Sequence, residues 1–205
     1  MMTKLILVRH GQTAWNHEGR FRGRADIPLD DIGLAQARAT AQYIAARWKP
    51  AAVYCSPLSR ARQMAEILAA PFMLHERAHP GFLDVDFGAW QGLTEADVRE
   101  RWQQALDVWC TEPKDTPIPG GERLETAQLR AMGALHEVVN RHSGKVVVIV
   151  GHTVINRLIL LAILDIDFAH FWHLGQDLGA LNLLEHDGRD FKLLQMNLTH
   201  HLEAD

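Results

Sequence analysis

At 205 residues, with 47% hydrophobic and 22% charged side chains, the chain is long enough to bury the core of one α/β domain and too apolar for a disordered tail. Its 21 Lys and Arg against 25 Asp and Glu leave a net charge of −4, with no basic block, which argues against nucleic acid or an anionic membrane as a partner. The longest apolar run, Leu158 to Leu164, falls far short of the roughly 20 residues of a membrane span, and Met1 to Val8 is too brief for a signal peptide, so a cytoplasmic protein is expected.

Leu5-Ile6-Leu7-Val8 is aliphatic without alternation, the pattern of a strand covered on both faces of a parallel sheet. It runs straight into Arg9-His10-Gly11-Gln12-Thr13, and ligands of such sheets gather at the carboxyl ends of the strands. Ala14 to Asp31, polar and rich in Arg, Gly and Asp, reads as a long functional loop. Leu34 to Trp48 has helical spacing, Ala52 to Cys55 is a second strand, and Ser56-Pro57 opens a helix that runs from Leu58 to about Ala69.

Between Pro71 and Gly92 the pattern is irregular, with one short strand expected near Phe72 to Leu74 and loop after it. Thr94-Glu95-Ala96-Asp97 has the form of a helix cap, and the helix runs to about Trp109. Thr111 to Gly121 holds three prolines and is a loop, and Glu122 to Arg141 is a long amphipathic helix. Val146 to Val150 is a second all-aliphatic strand, and it too delivers a glycine and a histidine, Gly151-His152. A central apolar helix from Val154 to Leu164, a short helix from Phe168 to Leu174, and a hairpin about Asp187-Gly188 complete the chain. Alternating strand and helix predict an α/β fold, a three-layer sandwich on a mostly parallel central sheet. The cysteines, Cys55 and Cys110, form no CxxC and read as ordinary buried thiols, and Trp48, Trp102 and Trp109 as helix packing, while Trp90 is a candidate border of the site.

Parallel neighbours ending at Val8 and Val150 would bring His10 and His152 to one mouth, and the helix after Cys55 can aim Arg60 at the same place. Two histidines and two or more arginines suit a doubly charged phosphate. Guanidinium forks match its oxygens, and an imidazole among arginines is biased toward its neutral, nucleophilic form. His10 could then attack phosphorus and form a phosphohistidine, with Arg9 and Arg60 holding the equatorial oxygens and a carboxylic acid protonating the departing alkoxide. On this reading neither a metal nor another cofactor is needed. The chain has 12 histidines, yet no HExxH, and His200-His201 lack the facing spacing of helical ligands.

These motifs resemble those of the histidine phosphatase superfamily, the group with phosphoglycerate mutase-like folds. Arg9-His10-Gly11-Gln12-Thr13 with Trp15-Asn16 looks like its signature, and Ser56-Pro57-Leu58-Ser59-Arg60-Ala61 is similar to its second arginine motif. Phe87 to Gly92, Gly120-Gly121-Glu122 and Gly151-His152 match, in order, the segment after its acid, its substrate loop and its second histidine. The resemblance implies that His10 is phosphorylated, that Arg9, Arg60 and His152 complete the phosphate pocket with Gly151 and Thr153 beside them, and that Asn16 and Arg22 make further contacts. The family's acid is usually glutamate, four residues before the glycine of its FG motif. That register falls on Asp84 here, with Asp86 as the alternative.

The same resemblance implies one domain over residues 1–205, with a substrate-covering insertion near 80–121. Phe87 to Gly92 leads straight into a helix and leaves little chain for the lid of the cofactor-dependent mutases, so a phosphatase of a small phosphorylated metabolite is expected. The final third looks like the metal-independent phosphoserine phosphatases, which implies that His201 approaches substrate and suggests a homodimer, although those proteins carry a histidine where this chain has Phe87. The α-ribazole phosphatases share the same core motifs. A phosphoglycerate mutase and a phosphate-binding protein without turnover are the alternatives.

Overall fold

The computed structural model describes residues 1–203. Six strands, β1 (Thr3–Arg9), β2 (Ala52–Cys55), β3 (Glu76–Ala78), β4 (Val146–Gly151), β5 (Leu181–His186) and β6 (Phe191–Leu198), form one sheet. Their order is β3-β2-β4-β1-β5-β6. The first four in that order run parallel, while β5 and β6 are antiparallel additions at one edge.

Side chains alternate across the pleat, so the aliphatic strands supply two cores at once. Leu5, Leu7, Val147 and Ile149 face α5 (Leu124–Arg141) and α6 (Thr153–Leu164), with α4 (Glu95–Thr111) packed beyond them. Ile6, Val8, Val148 and Val150 face α2 (Asp31–Ala45) and α3 (Ser59–Ala69). This is the three-layer sandwich expected from the alternation, and it explains why Leu5 to Val8 of β1 and Val146 to Val150 of β4 are aliphatic without interruption.

Register fixes the site. Val8 pairs with Val150 and Arg9 with Gly151, while Cys55 of β2 also pairs with Val150. All three strands therefore end level, and the residues that follow them leave from one edge of the sheet.

The local reading is corrected in several places. Phe72 to Leu74 is not a strand: Pro71 starts a 3-10 turn over Ala70–Phe72, Met73 stops it at a left-handed φ of 55°, and the strand is β3. The long first loop contains a one-turn helix, α1 (Ala14–His17), closed by a reciprocal cap between Thr13 and Asn16. α3 starts later than Leu58, because Ser56 spends its hydroxyl accepting from the Leu58 N–H, 3.3 Å away, ahead of the helix. α5 begins at Leu124, since Glu122 is drawn to Arg130 and Arg24. Cys110 lies exposed on α4, and only Cys55 is a buried thiol.

Candidate active site

His10 and His152 leave the level ends of β1 and β4 with their rings 5.2 Å apart, centroid to centroid. The loop after β1 is held by α2: a Cβ on Gly11 would sit 2.6 Å from the Gly33 carbonyl oxygen, so the close approach requires glycine. His10 Nδ1 lies 2.7 Å from the Gly11 carbonyl oxygen. A carbonyl only accepts, so the proton is on Nδ1 and the lone pair on Nε2. Burial, with Arg60, Arg9 and Arg22 around it, holds His10 well below the ordinary histidine range, and the ring is neutral.

Arg60, fully buried near the start of α3, ties three parts of the site together. Its Nη1 and Nη2 donate to the carbonyls of Ala25 and Gly23, each at 2.7 Å, which pins the Arg22 loop. Its Nε donates to His152 Nδ1 at 3.3 Å. His152 must accept at that nitrogen and so carries its proton on Nε2. Burial, followed by the charge of Arg60, keeps His152 well below its usual range as well.

Asp84 completes the cluster. Its Oδ2 lies 3.6 Å from Arg60 Nη2 and 3.8 Å from His152 Nδ1, and its Oδ1 accepts from the Val85 N–H at 3.0 Å. Burial raises its pKa even though Arg60 and Arg22 pull the other way. Arg130 holds the segment by donating to the carbonyls of Gly81, Leu83 and Asp84. Asp86 faces elsewhere: Oδ1 accepts from the Gly88 N–H at 2.8 Å, and Oδ2 is 3.7 Å from Arg24.

Around these groups, four buried polar atoms have no partner among the described residues: Arg9 Nε, Arg22 Nε, His152 Nε2 and Thr153 Oγ1. All four can donate. Beside them α6 begins at Thr153, and its first turn lacks a side-chain cap, so helix N–H groups add to the same positive region. Unpaired buried donors are costly unless something accepts from them, and a phosphoryl dianion is the group that accepts from several at once. Asn16 receives the Thr13 N–H and hydroxyl at Oδ1, at 3.1 and 2.8 Å, which leaves its amide N–H₂ as the donor.

A cavity of about 250 Å³ continues from this cluster, sharing Arg22, Asp84 and Thr153 with it. Its outer walls are aromatic: Phe21, Phe87, Trp109 and Trp172. Trp109 and Trp172 come from helices distant in sequence, and no local motif signals them. Trp90 does not border the cavity; it is buried in the core against Phe21 and Trp109. Arg157 also lines the cavity, and its i+4 spacing from Thr153 was the available signal for it.

Two predicted residues stand apart. Gly151 is a packing residue: a Cβ there would come within 2.6 Å of Asn156 Oδ1, and its carbonyl accepts from the His10 N–H. His201 is placed against α2, where Nε2 bonds Thr40 Oγ1 at 3.0 Å and the ring packs on Tyr43, away from the cavity lining. Arg62, which pairs with Glu76, points elsewhere, as helical spacing requires. Among the described residues no group of three or more His, Cys, Asp and Glu is arranged to hold a metal ion, and no helix is long and apolar enough to cross a membrane.

Comparison with known proteins agrees with this geometry. The model of the histidine phosphatase superfamily (branch 1) matches residues 5–199. Phosphoserine phosphatase 1 of Hydrogenobacter thermophilus is 34% identical over 201 residues, covering 98% of this chain and 95% of that protein. A metal-independent phosphoserine phosphatase of Arabidopsis thaliana is 34% identical over 164 residues, covering 79% of this chain and 69% of its own. Among solved structures, Bacillus stearothermophilus YhfR superposes with a TM-score of 0.94 at 31% identity, covering 98% of this chain and all of its own. With paired histidines and arginines at the level ends of a phosphoglycerate mutase-like sheet, the chain belongs to the histidine phosphatase superfamily.

Proposed function

We propose that this protein is a metal-independent phosphomonoester hydrolase that works through a phosphohistidine on His10 and acts on a small phosphorylated metabolite. The observation that carries the reading is the set of four buried donors without partners around a neutral imidazole. The two relatives compared above are phosphoserine phosphatases, which supports the reading.

In this mechanism the ester's phosphoryl group lies among Arg9, Arg22, Arg60 and the start of α6. His10 Nε2 attacks phosphorus in line, the bond to the alkoxide oxygen breaks, and Asp84, whose pKa burial raises, acts as the general acid that gives a proton to that oxygen. The alcohol leaves. Water then attacks the phosphohistidine, Asp84 takes its proton, and inorganic phosphate and free His10 are restored. His152, donating from Nε2, and the three guanidiniums stabilise the equatorial oxygens, work that needs positioned charge and no metal.

Residues 80–121 form the cover of this single catalytic domain, and Asp84, Phe87, Glu95 and Trp109 supply cavity wall. Between the acid and α4 there is one 3-10 turn, Gly88–Trp90, too little chain for a lid that would exclude water from the phosphoenzyme. This favours hydrolysis over a mutase. Release of p-nitrophenol from p-nitrophenyl phosphate in EDTA tests the reading. Turnover is expected to persist in EDTA and to fall by at least about 10³-fold in His10→Ala. Activity lost to EDTA and restored by a divalent cation would overturn it.

A further inference from the structure

Arg157 lines the same cavity as Arg22, Asp84 and Thr153, and the proposed chemistry leaves it unused. Its Nε donates to the Leu174 carbonyl at 2.8 Å, and its guanidinium carbon lies 5.0 Å from the Phe171 ring centre and 4.9 Å from that of Trp172. The side chain is therefore fixed at one edge and framed by aromatic faces. Unlike Arg20, Arg24 and Arg60, it makes no ion pair among the described residues. Burial lowers its pKa, with the charge of Asp177 opposing the shift. Its two Nη groups form a planar fork with no acceptor among the described residues.

The place of that fork is set by α6. Thr153, one of the four unpartnered donors, and Arg157 are i and i+4 on the same helix face, ~6 Å apart along the axis. Helical side chains lean toward the helix N-terminus, so Arg157 reaches back toward the phosphate cluster. An anion on the fork would share the cavity with the phosphoryl group, since Arg157 lines it together with Arg22, Asp84 and Thr153. One guanidinium balances one charge, and Glu95 stands in the same cavity wall, which disfavours a second dianionic phosphate.

We propose that Arg157 is a specificity-determining residue that receives a carboxylate on the leaving group, so that the substrates are small phosphate esters of hydroxy acids. The inference rests on the phosphatase reading above. It is tested with esters that differ only in that carboxylate: 3-phosphoglycerate against glycerol 3-phosphate, and phosphoserine against phosphoethanolamine. In the unaltered protein the carboxylated member of at least one pair is preferred in kcat/KM by at least about tenfold. In Arg157→Gln that ratio falls to about one, chiefly through KM, and Arg157→Lys restores part of it because the charge returns without the fork.

No preference in the unaltered protein, with p-nitrophenyl phosphate still hydrolysed, would overturn the inference and leave the phosphatase standing. An equal loss on both members of a pair in Arg157→Gln, at unchanged preference, would also overturn it, since that is the signature of a merely structural arginine. Failure to hydrolyse any ester, p-nitrophenyl phosphate included, would sink the phosphatase reading itself.

Discussion

The two halves of the cavity are built in opposite ways. The phosphate half stands on the ends of β1 and β4 and the start of α3, its imidazoles and Arg60 wholly buried and its hydrogen bonds running to backbone carbonyls and to one another. The leaving-group half is assembled from the loop at Phe21, from α4 through Trp109, and from the 3-10 turn Phe168–His173 through Trp172. The first half has to meet one invariant group, a phosphoryl dianion, so its charges are fixed in a rigid frame. The second meets whatever the ester carries, and it offers aromatic surface with the Arg157 guanidinium among it. Changes in the first half should cost turnover on every ester; changes in the second should re-rank esters.

The largest effect after loss of His10 belongs to Asp84→Asn, which removes the proton donor. Its kcat should fall by about 10²–10⁴-fold on alkyl phosphates and much less on p-nitrophenyl phosphate, whose leaving group needs little protonation. Asp86→Asn, which only loosens a turn and an exposed pair with Arg24, should cost far less. A reversed order of the two variants would move the acid to Asp86.

Arg60→Lys comes next. A lysine keeps the charge but cannot hold Gly23, Ala25 and His152 together, and kcat/KM should fall about 10²-fold on all esters alike. A loss confined to one ester would break the division into halves.

A pH effect on stability follows from the buried imidazoles. His10 and His152 are held well below the ordinary value of 6.5, so their contribution is present above 6.5 and is lost as pH falls below it toward their folded values. Each costs up to about 1.4 kcal/mol per pH unit over that window. Asp84, raised by burial, works in the opposite sense. Urea midpoints on the two sides of pH 6.5 should show His10→Gln losing less stability on acidification than the unaltered protein; equal losses would mean that His10 is not held neutral by the fold.

The smallest effect is that of Trp172→Leu, a change of roughly two- to fivefold in KM that differs between esters. A uniform drop in kcat would place Trp172 in the phosphate half.

The same contrast explains what could be read before folding. Twin aliphatic strands, each delivering a histidine, announce the parallel sheet and its mouth, because burial on both faces leaves a pattern in consecutive residues. Arg9, His10, His152 and Thr153 come together in the structure for that reason, and Arg60 from α3 and Asp84, whose segment Arg130 holds, join them there. The aromatic walls were not legible. Trp109 shows the same helical spacing whether it packs in a core or faces a cavity, and only the fold brings it beside Trp172, 5.5 Å away. Trp90 illustrates the reverse error: nearness to the acid in sequence suggested the site, while the turn Gly88–Trp90 carries the ring into the core. His201, expected near substrate, sits against α2 with the Thr40 hydroxyl and the Tyr43 ring as its partners. The β3 register was hidden because Met73 takes a left-handed conformation that its residue type does not announce.

The most direct measurement is a rapid acid-free quench of the protein during turnover of a phosphate ester in EDTA, followed by peptide mass analysis. The account predicts one phosphoryl group on the peptide carrying His10, labile to acid, stable to alkali and absent in His10→Ala. Steady hydrolysis with no phosphoryl group on any peptide, or with the group on another residue, would contradict it.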